Sequence, residues 1–128
     1  MKLSRTFTFD AAHKLPNYEG KCKYLHGHTW KVRYVIEGPK NKKTGMIIDF
    51  LELKINIEQK IMEKLDHTYL NDKFDNPTAE NIVEWMFEFI VKLLQNKENI
   101  ALIYVEVWES PDSSAILTCS DYRDIKSE

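Results

Sequence analysis

Three of the four histidines in this chain lie between positions 13 and 28, and two of them form His26-Gly27-His28. Residues i and i+2 of an extended chain point to one face, so both imidazoles of that pair can reach a single ion. His13 follows a predicted first strand, and an antiparallel hairpin would lay the end of that strand beside the start of the next. Three imidazoles without a required thiolate or carboxylate match a catalytic zinc site, which keeps a fourth position for water or substrate. Ordinary surface or core histidines are the plain alternative, and the third His at the facing strand end favours the metal reading. Cys22 stands four residues before His26 between Lys21 and Lys23. A thiol beside a metal and two ammonium groups ionises more readily, so Cys22 is either a fourth ligand closing a structural site or a base beside an open one. A small buried hydrophobe is the bland reading of any free cysteine. The fourth histidine sits in Asp66-His67, where a proton relay competes with a helix-terminal charge and a turn cap. Glu109 ends an apolar run, Tyr104-Val105-Glu106-Val107-Trp108-Glu109, and either reaches a pocket or frays into water.

These residues need elements to position them. Lys2 to Phe9 and Thr29 to Glu37 alternate apolar and polar side chains as strands do, with the polar loop Asn17 to Lys23 between them. A turn-rich connector follows at Gly38 to Gly45. Asp49 with Glu52 three residues on reads as a capping box ahead of Phe50, Leu53, Ile57, Ile61 and Leu65, spaced for an amphipathic helix. A second helix opens at Pro77-Thr78 and carries Ile82, Met86, Phe89, Ile90, Leu93 and Leu94, with Glu80 and Glu84 at its positive end. Ile100 to Glu109 and Ala115 to Ser120 complete the pattern as strands. The order β-β-α-α-β-β predicts an α+β domain whose antiparallel sheet is covered on one face by two helices.

Composition narrows the function classes. The 128 residues hold 18 Lys plus Arg against 20 Asp plus Glu, a net charge of −2, which lacks the basic surplus of a general nucleic-acid binder. With 43% hydrophobic and 30% charged residues the chain reads as one globular domain spanning 1–128. No apolar run approaches the roughly 20 residues that cross a bilayer, and no apolar segment follows Met1-Lys2-Leu3-Ser4-Arg5, so no membrane partner and a cytoplasmic location are expected. Cys22 and Cys119 are read as thiols in that compartment.

Five ordered segments carry a resemblance: Phe9 to Pro16, Cys22 to His28, Gly45 to Phe50, Leu65-Asp66-His67 and Pro77 to Asn81. Together they resemble the 6-pyruvoyltetrahydropterin synthase superfamily, and within it the 6-carboxy-5,6,7,8-tetrahydropterin synthases of the 7-deazaguanine (queuosine and archaeosine) route. The resemblance implies the tunnelling fold, in which three subunits close a twelve-stranded barrel, two trimers stack into a hexamer, and active sites lie between subunits. It implies zinc held by His13, His26 and His28, Cys22 as catalytic base, Asp66 with His67 as relay, and Glu109 as pterin anchor. Thr78 and Glu80 match positions near the pterin, and Lys14 is assigned to the triphosphate from its charge. The implied substrate is 7,8-dihydroneopterin triphosphate, converted with loss of triphosphate and acetaldehyde. The compact spacing from Cys22 to His26 favours this carboxy-forming branch over the pyruvoyl-forming one, which retains the side chain. Ser110 and Asp112 depart from the Thr-Pro-Thr pattern familiar after the glutamate. A zinc- or pterin-binding module without turnover is the rival reading.

Overall fold

The computed structural model describes residues 1–20 and 23–128, so the loop position of Cys22 lies outside the described residues. Two long strands, β1 (Lys2–His13) and β2 (His26–Glu37), pair antiparallel without interruption from Lys2↔Glu37 to His13↔His26. Both strands run further than alternation suggested, because Ala11, His13, His26 and His28 continue the inward face toward the site end. The first helix, α1, begins as Phe50–Leu53, passes through a π-helical stretch Lys54–Glu58 and ends as Gln59–Leu65. A two-residue strand, β3 (Thr68–Tyr69), leads through a short 3-10 turn at Leu70–Asp72 to helix α2 (Ala79–Leu93). Strands β4 (Ala101–Ser110) and β5 (Ser113–Thr118) and helix α3 (Cys119–Lys126) complete the chain. The sheet order is β3-β1-β2-β4-β5, antiparallel throughout except for the brief parallel β1–β3 pairing.

One face of the sheet is dry. Phe9, Trp30, Val32, Tyr34, Ile36, Val105 and Val107 pack against Leu53, Ile57, Ile61 and Leu65 of α1 and Ile82, Met86, Phe87 and Ile90 of α2. Each such side chain removed from water contributes about 1.5–3 kcal/mol, so this layer is what fixes both helices on the sheet. The buried apolar residues of α1 repeat every four positions, a spacing that drifts by about 40° per step around an ideal α-helix. The wider π-helical turn at Lys54–Glu58 takes up that drift and keeps the stripe on the sheet. Phe50, expected in the same stripe, lies outside it and is 51% exposed.

Three further expectations are corrected. Asp49 caps α1 by accepting the Leu51 amide at 2.8 Å, but Glu52 does not return the bond of a capping box and pairs with Lys97 instead. The last strand stops at Thr118, where Thr118 and Asp121 form a reciprocal capping box and start α3, an element the alternation of Ala115 to Ser120 concealed. The extra strand β3 arises because the chain after α1 is drawn onto the edge of β1 at Ala11 and Ala12. Among the described residues no helix is long and apolar enough to cross a membrane.

Inside the dry layer sits one carboxylate. Glu58, on the π-helical stretch and 4% exposed, accepts two bonds from Arg5 of β1, Nε at 2.6 Å and Nη2 at 2.8 Å, and a third from the Tyr34 hydroxyl of β2 at 2.8 Å. Burial and the carboxylate together push the Tyr34 phenol far above its usual range, so it stays a donor. Replacing Glu58 with Ala would strand Arg5 and Tyr34 and is expected to lower stability by about 2–4 kcal/mol, read as a lower urea midpoint. A loss below about 0.5 kcal/mol would mean that the triad contributes no more than a surface pair does.

Candidate active site

The β1–β2 register sets the site. His13 is the cross-strand partner of His26, and His28 follows two residues along the same inward face. The three imidazoles meet with ring centroids 4.6 Å (His13–His26), 4.6 Å (His26–His28) and 5.2 Å (His13–His28) apart. Fully buried Trp30 lies beneath them with its ring 5.1 Å from His13 and 5.6 Å from His28, closing the site toward the core.

Hydrogen bonds on the far side of the His13 and His26 rings decide which of their nitrogens face inward. His13 Nδ1–H donates to the Pro77 carbonyl at 2.8 Å, and His26 Nδ1–H donates to the Tyr24 carbonyl at 2.7 Å. A carbonyl only accepts, so the proton of each neutral ring sits on Nδ1 and both Nε2 atoms carry a lone pair. Those two Nε2 atoms face each other at 3.1 Å. His28 Nε2 is enclosed and has no hydrogen-bond partner among the described residues; Glu109 Oε1 stands 3.2 Å away in ion-pair contact without hydrogen-bond geometry. Burial lowers the pKa of His13 and of His28, partly opposed at each by the Glu109 charge, so both favour the neutral form that can bind a cation.

His13, His26, His28 and Glu109 each offer one donor atom, and the four atoms lie within 4.8 Å of one another. A tetrahedral ion with bonds of about 2.0–2.1 Å needs donor atoms about 3.3 Å apart. The 3.1 Å and 3.2 Å separations lie close to that value and the His13 Nε2–Glu109 Oε1 separation is wider at 3.9 Å, while facing lone pairs repel unless a cation lies between them. The donor set therefore fits a divalent metal such as zinc, with the His13 and His26 imidazoles oriented from behind as metal-binding histidines are.

A second cluster forms at the other side of β1. The chain leaves α1 through His67, whose backbone is left-handed at φ 57°. That turn folds the imidazole back so that Nδ1 meets Asp66 Oδ2 at 2.9 Å, although adjacent side chains commonly diverge. Asp66 Oδ1 accepts the Asp10 amide at 3.0 Å, and the His67 amide donates to the Asp10 carbonyl at 2.6 Å. Asp10 in turn accepts the Thr29 hydroxyl at 2.5 Å. The Asp10 amide first, and then His67, hold the Asp66 carboxyl below its usual range. Its contribution is thus present at neutral pH and is lost only as acidification passes below the normal carboxylate range.

Two cavities join these clusters through His28. One, of about 590 Å³, is lined by His28, Lys31, Trp108 and Glu109, with Lys31 Nζ 5.0 Å from the centre of the Trp108 ring. The other, of about 530 Å³, is lined by Asp10, His28, Thr29 and His67. Neither lining includes Thr78, Glu80 or Lys14. Thr78 caps α2 by accepting the Asn81 amide at 3.1 Å, and Glu80 is exposed in the first turn. Lys14 is exposed, with its backbone clamped by Asn71, which accepts its amide and donates to its carbonyl, both at 2.9 Å. Sequence reasoning missed the Pro77 and Tyr24 carbonyls, for which no side-chain signal exists. It also missed Asp10 and Thr29, whose only signal was their proximity to His13 and His28.

A sequence profile of 6-pyruvoyl tetrahydropterin synthases matches residues 2–119. The chain belongs to that family. Among relatives in the 6-pyruvoyl tetrahydropterin synthase family, a 6-carboxy-5,6,7,8-tetrahydropterin synthase of Synechocystis is 42% identical over 89 residues, covering 65% of this chain and 69% of that protein. The Haemophilus influenzae protein of the same name is 30% identical, covering 88% of this chain and 94% of its own. A dihydroneopterin monophosphate aldolase of Pyrococcus furiosus is 40% identical over 104 residues, covering 80% and 83%. The fold matches the structure of Caenorhabditis elegans 6-pyruvoyl tetrahydropterin synthase with a TM-score of 0.80 at 24% identity, over 92% of this chain and 94% of that one.

Metal analysis of the purified protein is expected to find about one tightly held zinc per chain, and His28→Ala to lose it. Equal metal content in the wild type and His28→Ala would exclude the histidine cluster as the site.

Proposed function

We propose that the protein is a zinc-dependent lyase that converts 7,8-dihydroneopterin triphosphate to 6-carboxy-5,6,7,8-tetrahydropterin, releasing acetaldehyde and triphosphate, as in 7-deazaguanine biosynthesis. The observation that carries this reading is the trio of converging imidazoles, of which His28 borders two cavities, one reaching Glu109 and the other His67. The names of the Synechocystis and Haemophilus relatives support the carboxy-forming branch.

His13, His26 and His28 would hold the zinc, which when bound supplies Lewis acidity toward the side-chain hydroxyl oxygens of the substrate. Glu109 accepts from the adjacent amine and ring N–H of the pterin, two donors that one carboxylate can satisfy together. Cys22, outside the described residues, acts as the base that takes a proton from the substrate side chain. His67 delivers or relays a proton through Nε2, because Asp66 engages Nδ1 and fixes the working tautomer. Asp66 suits that duty because the Asp10 amide keeps its carboxylate ionised. Thr78 and Glu80 are assigned to the pterin side from their positions at the start of α2, and Lys14 to the triphosphate from its exposed charge.

The protein is further proposed to assemble as a trimer-based homo-oligomer with shared active sites. β1 is paired along its whole length by β2, but β3 covers only Ala11 and Ala12 on its other side, and β5 has no outer neighbour among the described residues. Two open strand edges are the feature that barrel closure between copies removes. Light scattering is expected to give a mass in multiples of three chains of 15.1 kDa; a monomer would remove this part of the proposal.

The activity is tested by incubating zinc-loaded protein with dihydroneopterin triphosphate and assaying acetaldehyde and the pterin product. Both are expected, and Cys22→Ala should lower turnover by about 10²–10⁴-fold while zinc stays bound. Pyruvoyl-pterin without acetaldehyde would assign the pyruvoyl branch, and no conversion would leave a binding module. Preference for the monophosphate would align the protein with the Pyrococcus furiosus relative.

A further inference from the structure

Glu109 stands at a junction that its duty as pterin anchor does not explain. Its Oε1 lies 3.2 Å from His28 Nε2 and 3.9 Å from His13 Nε2, on the side of the histidine cluster where a fourth donor belongs. The strand geometry gives the side chain this reach. The β4–β5 pairing shifts between Trp108 and Ser110, so Glu109 falls in the irregularity and stands outside the regular ladder. It is also a quarter exposed and lines the cavity walled by Trp108 and Lys31. The carboxylate thus has two destinations, the histidines behind it and the cavity in front. A flat heterocycle entering along the Trp108 ring would meet the same carboxylate that the histidine cluster already holds.

We propose that Glu109 is a displaceable fourth ligand. In the resting protein its carboxylate completes the donor set of His13, His26 and His28, and an entering pterin draws it away onto its amine and ring N–H donors. The metal's fourth position then opens only when substrate is present. Before that, the coordination sphere is closed to water and to stray thiols. No bond within the protein is made or broken, and the carboxylate exchanges one electrostatic partner for another. The resting ligation stands on the geometry alone; its displacement by a pterin rests on the function proposed above.

The test uses the full-length protein, stripped and reloaded with zinc or cobalt(II), and compares the wild type with Glu109→Gln, Glu109→Asp and His28→Ala. Competition against a chromogenic chelator is expected to show zinc affinity about 10–100-fold lower in Glu109→Gln, with Glu109→Asp weakened in the same direction. Circular dichroism checks that each variant is folded. In the cobalt-loaded wild type the visible ligand-field bands should change when neopterin is added, and in Glu109→Gln they should already differ and respond little. Zinc affinity in Glu109→Gln within about twofold of the wild type would overturn the resting ligation, and bands indifferent to neopterin in a protein that binds it would overturn the displacement. Failure of the underlying metal reading looks different: wild type and His28→Ala would then hold zinc equally poorly.

Discussion

Two unprotonated imidazole nitrogens held 3.1 Å apart repel each other, and much of this fold serves to hold them there. The long β1–β2 pairing brings His13 opposite His26. The Pro77 carbonyl, at the entry to α2, fixes the proton of His13 on its outer nitrogen, and the Tyr24 carbonyl does the same for His26. Trp30 denies the cluster any retreat into the core. An arrangement that is unfavourable when empty and favourable around a cation stores part of the selectivity for that cation in the scaffold itself. The entry to helix α2 is therefore more than a cover for the sheet, since Pro77, the residue before the N-cap Thr78, sets the protonation pattern of His13.

The energetic layers divide along the sheet. Toward the middle, apolar burial and the Arg5–Glu58–Tyr34 triad lock α1 to β1 and β2. Toward the site end, the same strands carry polar side chains on their inward face; the Pro77 carbonyl offsets part of the cost of burying His13, whereas His28 Nε2 has no hydrogen-bond partner among the described residues. The candidate site is thus built at the end of the longest strand pairing among the described residues, and its histidines lie beyond the apolar core. Rigid elements place donor atoms more reliably than loops do, which suits a cluster whose four donor atoms converge within 4.8 Å.

Much of this was legible in the residues. The i, i+2 histidines on one strand face, and a third at the facing strand end, follow from the period of two and from hairpin geometry. The apolar spacing of both helices also survived, apart from Phe50. What escaped had physical reasons. A π-helical turn changes the period without changing residue types, and backbone carbonyls such as Pro77 leave no mark on a sequence. The capping box at Thr118 and Asp121 was written in the chain, but the preceding alternation obscured it. The Asp66–His67 contact depends on a left-handed backbone at a histidine, a conformation that residue type permits but does not announce. The roles given to Thr78 and Glu80 came from positional likeness and that of Lys14 from its charge, and the local bonds of Thr78 and of the Lys14 backbone concern caps and clamps.

The uninterrupted register ending at His13 and His26 also governs the segment 14–25 between them. That segment leaves and re-enters the fold at a single cross-strand pair, so its ends are joined whatever its length. The entropy of closing a longer loop rises only with the logarithm of its size, about 0.6 kcal/mol per doubling. Segment 14–25 also carries the Tyr24 carbonyl that holds His26, so a change of loop length that spares Tyr24 leaves the His13–His26 register in place. The hairpin acts as a fixed socket for the histidines, and the length of the loop it closes can vary without moving that socket.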